Sequence, residues 1–249
     1  MDDTIDVIAY EPSPIGMICL RRRSIPSKPG AFATEITVDH QFLMSSENTP
    51  SERALAARAI ELHGGSALRV LVGGLGLGYT ARAALDSERV AAVEVVELVA
   101  PVLDWLARDL FPLAGALRAD PRFSVRLGDV YAELAAPPTP ASAVASQRRA
   151  GREAPKTPSR FDVILIDVDH SPDERLGASS AAFYTEAGLA AAMRHLAPGG
   201  VLAVWSYAES SPFADALATV FGEVWVEPLA FENRVVGGAE TNWLFLARD

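Results

Sequence analysis

The stretch 68-LRVLVGGLGLGYTARAAL-85 runs an apolar burst, Val70-Leu71-Val72, into Gly73-Gly74-Leu75-Gly76-Leu77-Gly78 and then into alanine-rich sequence. An apolar run, a glycine turn and a helix-forming segment in succession predict a strand–turn–helix unit. The pattern repeats downstream. Leu68–Val72, Val90–Glu97, Phe123–Leu127, Phe161–Asp167, Val201–Trp205 and Trp243–Ala247 read as strands, most of them flanked by Ala/Leu-rich helical segments. Strands alternating with helices imply a doubly wound, mostly parallel α/β sheet. Strands covered on both faces are continuously apolar, as Val163-Ile164-Leu165-Ile166 is.

Upstream the pattern differs. Ile5–Tyr10, Ile15–Leu20 and Ala33–Val38 read as strands with no helix between them, so residues 1–48 are expected to form a small antiparallel β element. Residues 49–249 form the Rossmann-like domain. Its first helix is expected to start at a capping box, with Thr49 as N-cap, Pro50 at N1 and Glu52 at N3, and to stop at Gly64-Gly65. Residues 137–160 contain five prolines, five basic residues against one acid, and Val144 as the only large aliphatic residue. They read as a flexible insertion on the edge opposite the carboxyl ends of the strands.

Composition narrows the function. The chain has 249 residues, 49% of them hydrophobic, and a net charge of −10. That charge disfavours nucleic acid and anionic membranes as partners and suits a small-molecule acceptor, a cationic amine included. No run of eighteen apolar residues appears, and the acidic start Met1-Asp2-Asp3-Thr4 is unlike a signal peptide. The single cysteine, Cys19, fits a reducing cytoplasm. A homodimer through the N-terminal β element is compatible with this reading.

The glycine spacing discriminates among ligands. A dinucleotide fingerprint needs G-x-G-x-x-G, but here the series is Gly74-x-Gly76-x-Gly78 and Tyr79 stands where the third glycine would be. A P-loop needs a lysine, and Gly78-Tyr79-Thr80 has none. G-x-G-x-G remains, the turn of S-adenosylmethionine-type sites, with a glycine turn that holds no ligand as the alternative. Later strand ends strengthen the nucleoside reading. Glu97, nineteen residues beyond Gly78, sits at a strand tip where a carboxylate can accept from both ribose hydroxyls. Glu94 is a mid-strand rival. Asp129, in Gly128-Asp129-Val130, can accept from an adenine amino group, cap the following helix, or do both. Leu98 and Val130 follow these acids and are expected beside the nucleoside. The fourth strand ends Asp167-Val168-Asp169-His170, and Leu196–Val201 reads as a turn into the fifth.

With these residues in view, the chain resembles the spermidine synthase branch of the class I methyltransferase-like fold. The resemblance rests on Val72-Gly73-Gly74, Val96-Glu97-Leu98, Asp120-Pro121-Arg122 leading to Gly128-Asp129, Phe161–Asp167, Pro198-Gly199-Gly200 and Trp243–Ala247. It covers nearly the whole chain outside 137–160. It implies a sulfonium nucleoside, S-adenosylmethionine or its decarboxylated form, as cofactor. The departures are as informative. The family's G-G-G-D-G-G aspartate falls here on Gly76 or Leu77. Its Tyr-His-Glu cluster reads Pro50-Ser51-Glu52, which keeps Glu52 as an acceptor-side candidate but loses the tyrosine. Its D-x-x-D-P loop reads Asp167-Val168-Asp169-His170, with the second acid shifted by one.

Asp167 is expected to orient the acceptor and take its proton, with Asp169 and His170 as the other candidate catalytic groups. Tyr207, after the fifth strand, is the candidate aromatic residue against the acceptor. A metal is not expected, because only Glu209 could add an oxygen ligand near Trp205-Ser206-Tyr207-Ala208. His40, His63 and His195 read as structural. With no acid between Gly73 and Gly78 and the family's tyrosine missing, methyl transfer to a small amine or hydroxyl is the first expectation. Aminopropyl transfer is the second, and a catalytically silent nucleoside-binding protein the third.

Overall fold

The computed structural model of the protein describes residues 4–25, 28–138, 160–174, 178–233 and 238–249. Almost all of the insertion expected at 137–160 lies outside these residues.

Four antiparallel strands come first, β1 (Ile5–Ser13), β2 (Gly16–Ser24), β3 (Phe32–Val38) and β4 (Gln41–Ser45), hydrogen-bonded in that order. β4 was not expected from the sequence. The turn that makes it places both Asp39 (φ 47°) and His40 (φ 68°) in the left-handed region, where hairpins favour glycine or asparagine. The Asp39 carboxylate accepts from the Met17 amide at 2.8 Å and helps hold that turn.

The helix α1 (Pro50–His63) follows, then β5 (Leu68–Gly73), α2 (Tyr79–Leu85), β6 (Val90–Glu97), α3 (Ala100–Ala107), α4 (Ala114–Ala119), β7 (Phe123–Leu127), α5 (Val130–Ala135) and β8 (Phe161–Ile166). After a 3₁₀ turn at Ala178–Ala182 come α6 (Glu186–Met193), β9 (Leu196–Ser206), α7 (Ser211–Val220) and the hairpin β10 (Glu223–Glu232) and β11 (Ala239–Arg248). The main sheet has seven strands in the order β10-β11-β9-β8-β5-β6-β7. β5 to β9 are parallel, and the last hairpin joins antiparallel at the β9 edge. β10 was missed because it is an edge strand, half-exposed and interrupted by Pro228, with little of a core strand's pattern.

The apolar runs feed both faces of the sheet. Val70, Val72, Val163 and Leu165 enter a core shared with α1, α2 and α3, whereas Leu71, Ile164 and Ile166 enter a second core under α5, α6 and α7. Ile18, Leu20 and Ile36 of the N-terminal sheet belong to the first core, so that sheet is continuous with the α/β layers. Among the described residues no helix is long and apolar enough to cross a membrane.

Two local expectations change. Leu196–Val201 is assigned to β9 rather than to a preceding turn. It still bulges, because Leu196 pairs with Phe161 and Val201 with Val163, and Gly199 takes φ 72° between them. The capping box at α1 does not form. Thr49 makes no side-chain cap and instead accepts from Arg53 Nε at 3.2 Å, which leaves the Glu52 carboxylate to point elsewhere. The C-terminal expectation holds, with Gly64 left-handed at φ 73°.

Candidate functional site

The strand order reverses around β5, whose neighbours are β6 and β8. Doubly wound sheets open a crevice at the carboxyl ends there. A cavity of about 320 Å³ occupies it, within the usual range for small-molecule sites. The N-terminal sheet and the β10–β11 hairpin complete its walls through Ile18, Ile36, Met44, Phe231 and Asn242.

Glycine and leucine alternate along the turn for a packing reason. Leu77 goes into the core, Gly74 and Gly76 border the cavity, and Leu75 packs in the core while also lining the cavity. Gly74 takes φ 87°, and a Cβ there would stand 2.5 Å from the Asp167 carbonyl oxygen, so the turn lies directly on the end of β8. A Cβ at Gly76 (φ 50°) would meet Met44 Sδ at 2.5 Å. That sulfur accepts from the Leu77 amide at 3.3 Å. Gly78 does not border the cavity. Its left-handed φ of 83° starts α2, and its α-carbon faces Leu117 in the core. Of the three glycines expected at the cofactor, it is the one placed in the packing of α2 and not on the cavity.

The expected nucleoside residues share the next wall. Glu97, Leu98, Asp129 and Val130 all line the cavity. Glu97 is 6% exposed, and its two oxygens accept from the amides of Leu75 and Val99, each at 2.7 Å. Burial raises its carboxyl pKa, and these amides pull it back. Glu97 thereby ties the glycine turn to the start of α3. Asp129 caps α5 by accepting from Tyr131 N (2.9 Å) and Ala132 N (3.2 Å). The rival Glu94 is paired with Arg126 at 2.8 Å and does not line the cavity.

Two further carboxylates line the cavity. Asp167 receives a hydrogen bond from the Thr80 hydroxyl, and desolvation raises its pKa. Glu52, 8% exposed, accepts from Ser51 Oγ at 2.9 Å, and that hydroxyl accepts in turn from Asn242 Nδ2 at 2.9 Å. Burial, and secondarily the charge of Asp167, push Glu52 up to about 8. Among the described residues no arginine, lysine or histidine forms an ion pair with either acid. Two acids thus face one largely apolar cavity, and the side-chain donors bonded to them are neutral hydroxyls.

The loop after β8 is pinned at several points. Asp169 is 2% exposed and accepts from Tyr131 OH at 2.7 Å and Tyr184 OH at 3.0 Å. It borders the cavity with its carboxylate bonded to these two phenols. Burial and these neighbours hold the Tyr131 phenol well above its ordinary pKa. His170 lines the cavity, with its ring edge-on to Tyr207 at 6.4 Å. Its carbonyl accepts from the Tyr207 amide at 2.9 Å. Tyr207 is 46% exposed at the rim and donates its phenol proton to Glu174 at 2.6 Å.

Thr80, Ser51, Met44, Tyr131, Tyr184 and Asn242 were not singled out from sequence. Only Asn242, a polar residue entering the apolar run Trp243–Ala247, carries a visible signal.

No family model matches this chain, and no curated protein is similar to it in sequence. Solved structures do share its fold. Spermidine synthase from Thermotoga maritima is 18% identical with a TM-score of 0.69, over 97% of this chain and 72% of that one. A spermidine synthase in complex with the transition state analogue AdoDATO is 19% identical with a TM-score of 0.67, over 97% and 73%. A probable spermidine synthase from Corynebacterium glutamicum ATCC 13032 is 20% identical with a TM-score of 0.62, over 98% and 81%. The chain therefore has the spermidine synthase fold.

Proposed function

We propose that this protein transfers an aminopropyl group from decarboxylated S-adenosylmethionine to a small amine. The observation that carries the reading is the Glu52–Asp167 pair, two carboxylates on one cavity with no basic side chain among the described residues bonded to either. Methyl transfer was expected first because the glycine turn holds no acid. The cavity supplies the missing negative charge from α1 and β8 instead. A donor that keeps its carboxylate would be repelled there, and one that carries only ammonium and sulfonium would be attracted. Unit charges about 4 Å apart at an effective dielectric near 20 interact by roughly 4 kcal/mol, enough to set the preference. The likeness to spermidine synthases, one of them bound to AdoDATO, agrees with this choice.

The glycine turn has no room for side chains at Gly74 and Gly76, which suits close approach of a ligand to its backbone. Glu97 and Asp129 provide acceptors for ribose hydroxyls and an adenine amino group, and Leu98, Val99 and Val130 the apolar contact. When bound, the sulfonium supplies an electrophilic carbon and a neutral thioether leaving group. Asp167 orients the acceptor amine and takes the proton that frees its lone pair, with His170 the next candidate base and Tyr207 at the rim of the acceptor side. Glu52 holds the ammonium end of the donor. The new C–N bond forms as the C–S bond breaks, and the electron pair of that bond stays on sulfur.

A competition titration tests the donor. Decarboxylated S-adenosylmethionine should bind at least about tenfold more tightly than S-adenosylmethionine, and Glu52→Gln should narrow the gap. Asp167→Asn should abolish transfer while methylthioadenosine still binds. Equal or tighter binding of S-adenosylmethionine, with methyl turnover, would replace this reading by the methyltransferase one. No turnover of either donor would leave a nucleoside-binding protein.

A further inference from the structure

The Glu52–Asp167 pair is more than a negative surface. Two ionised carboxylates cannot comfortably share an enclosed, largely apolar space without a counter-charge. Among the described residues the side-chain donors bonded to this pair are hydroxyls, Ser51 Oγ on Glu52 and Thr80 Oγ1 on Asp167, and the Glu52 backbone amide adds a further neutral donor to its own carboxyl. The Ser51 hydroxyl is itself fixed by Asn242. The nearby charged and titratable groups do not supply the missing cation. Arg53 lowers the Glu52 pKa only weakly, and its guanidinium lies over the Tyr79 ring at 5.2 Å. Tyr79 is a neutral phenol whose own pKa is raised by burial. Around the rest of the cavity, Glu97 is taken up by backbone amides, Asp169 by two phenols and Glu240 by Asn233 Nδ2 at 2.7 Å. His170 is oriented by Tyr207 on the rim side.

Resting on the aminopropyl-donor reading, we propose that Glu52 and Asp167 form a proton-for-cation exchange site, which holds one proton between the two carboxyls until an organic ammonium enters and displaces it. The exchange balances. The free site is one carboxylic acid and one carboxylate. The ligand arrives as an ammonium, both groups become carboxylates around it, and one proton leaves to solvent. Two consequences follow for specificity. A neutral nucleoside gains nothing from the pair, so Glu52 selects for the charged arm. The base is also armed by its substrate, because Asp167 becomes a full carboxylate, able to take the acceptor's proton, only once the donor's ammonium is in place.

Isothermal titration calorimetry of the full chain in buffers of different ionisation enthalpy measures this exchange. A pH near 6.5 to 7 lies between the ordinary glutamate value of 4.5 and the value of about 8 for Glu52. Decarboxylated S-adenosylmethionine should release about one proton per site there. Methylthioadenosine, the same nucleoside without the ammonium arm, should release none. In Glu52→Gln the release should fall to near zero, and the donor's Kd should lose most of its pH dependence. Buffer-independent heats for the donor in the wild-type protein overturn the exchange, whatever the variant does. Equal proton release with methylthioadenosine also overturns it, because the proton would then belong to the nucleoside seat. If both ligands bind without proton release, the donor reading survives and this inference alone falls. If neither binds, the donor reading falls and takes the inference with it.

Discussion

Replacing Glu52 by glutamine should change how the stability of this protein responds to pH. The Glu52 carboxyl is buried, and its pKa rises from 4.5 to about 8, first through desolvation and then through the charge of Asp167. Between those values the folded chain keeps a proton that the unfolded chain has lost. Stability then falls as pH rises. The contribution is whole below about pH 4.5 and gone above about 8. The difference, 8 − 4.5 = 3.5 pH units, at about 1.36 kcal/mol each, sets a ceiling of roughly 5 kcal/mol. Glutamine keeps the shape and can still accept from Ser51 Oγ, but it carries no charge at any pH. For a chain of this size about 1 kcal/mol corresponds to 2–4 °C in Tm. Thermal unfolding followed by circular dichroism from pH 5 to 8.5 should therefore show the variant gaining on the wild type as pH rises. The gain should reach at least about 5 °C by pH 8. Parallel Tm curves for the two proteins would refute the reasoning, because they would mean that Glu52 ionises in the fold as it does in the open chain.

The remaining predictions concern the parts around that pair. Glu97→Ala leaves the amides of Leu75 and Val99 without their acceptor, which should cost roughly 2–5 kcal/mol and weaken nucleoside binding; an unchanged melting curve counts against it. Gly76→Ala should cost about 1–3 kcal/mol, because a Cβ at φ 50° meets Met44 Sδ, and a second change, Met44→Ala, should recover the steric part alone. Denaturant melts of the single and double variants decide this. Asp129→Ala should lose about 1 kcal/mol of helix capping and also weaken adenosine affinity; loss of stability without loss of affinity would leave Asp129 a cap only. Tyr184→Phe removes one donor from Asp169, so turnover should fall while methylthioadenosine binds as before. Equal loss of both would show that the clamp serves the whole cavity.

The α/β order was legible because it is carried by local chemistry. Short β-branched apolar runs such as Val163–Ile166 suit strands buried on both faces, and Gly74, at φ 87° against the end of β8, accepts no other residue without strain. Asp167, Glu97 and Asp129 were found for the same reason, since parallel strands deliver their carboxyl ends to one edge. What the sequence could not reveal depends on contacts between distant segments. Glu52 read both as a capping residue and as an acceptor-side candidate, and it lies on the cavity, where α1 is tied to β11 through Ser51 and Asn242. Asp169 read as a candidate catalytic group, and two phenols from α5 and the segment before α6 donate to it. β4 and β10 hold their places by pairing rather than by propensity. An acid's role follows from the partners that surround it and the water it has lost. Spacing along the chain determined where the carboxylates could gather, and only the tertiary structure decided which of them would be left facing the cavity with no counter-charge among the described residues.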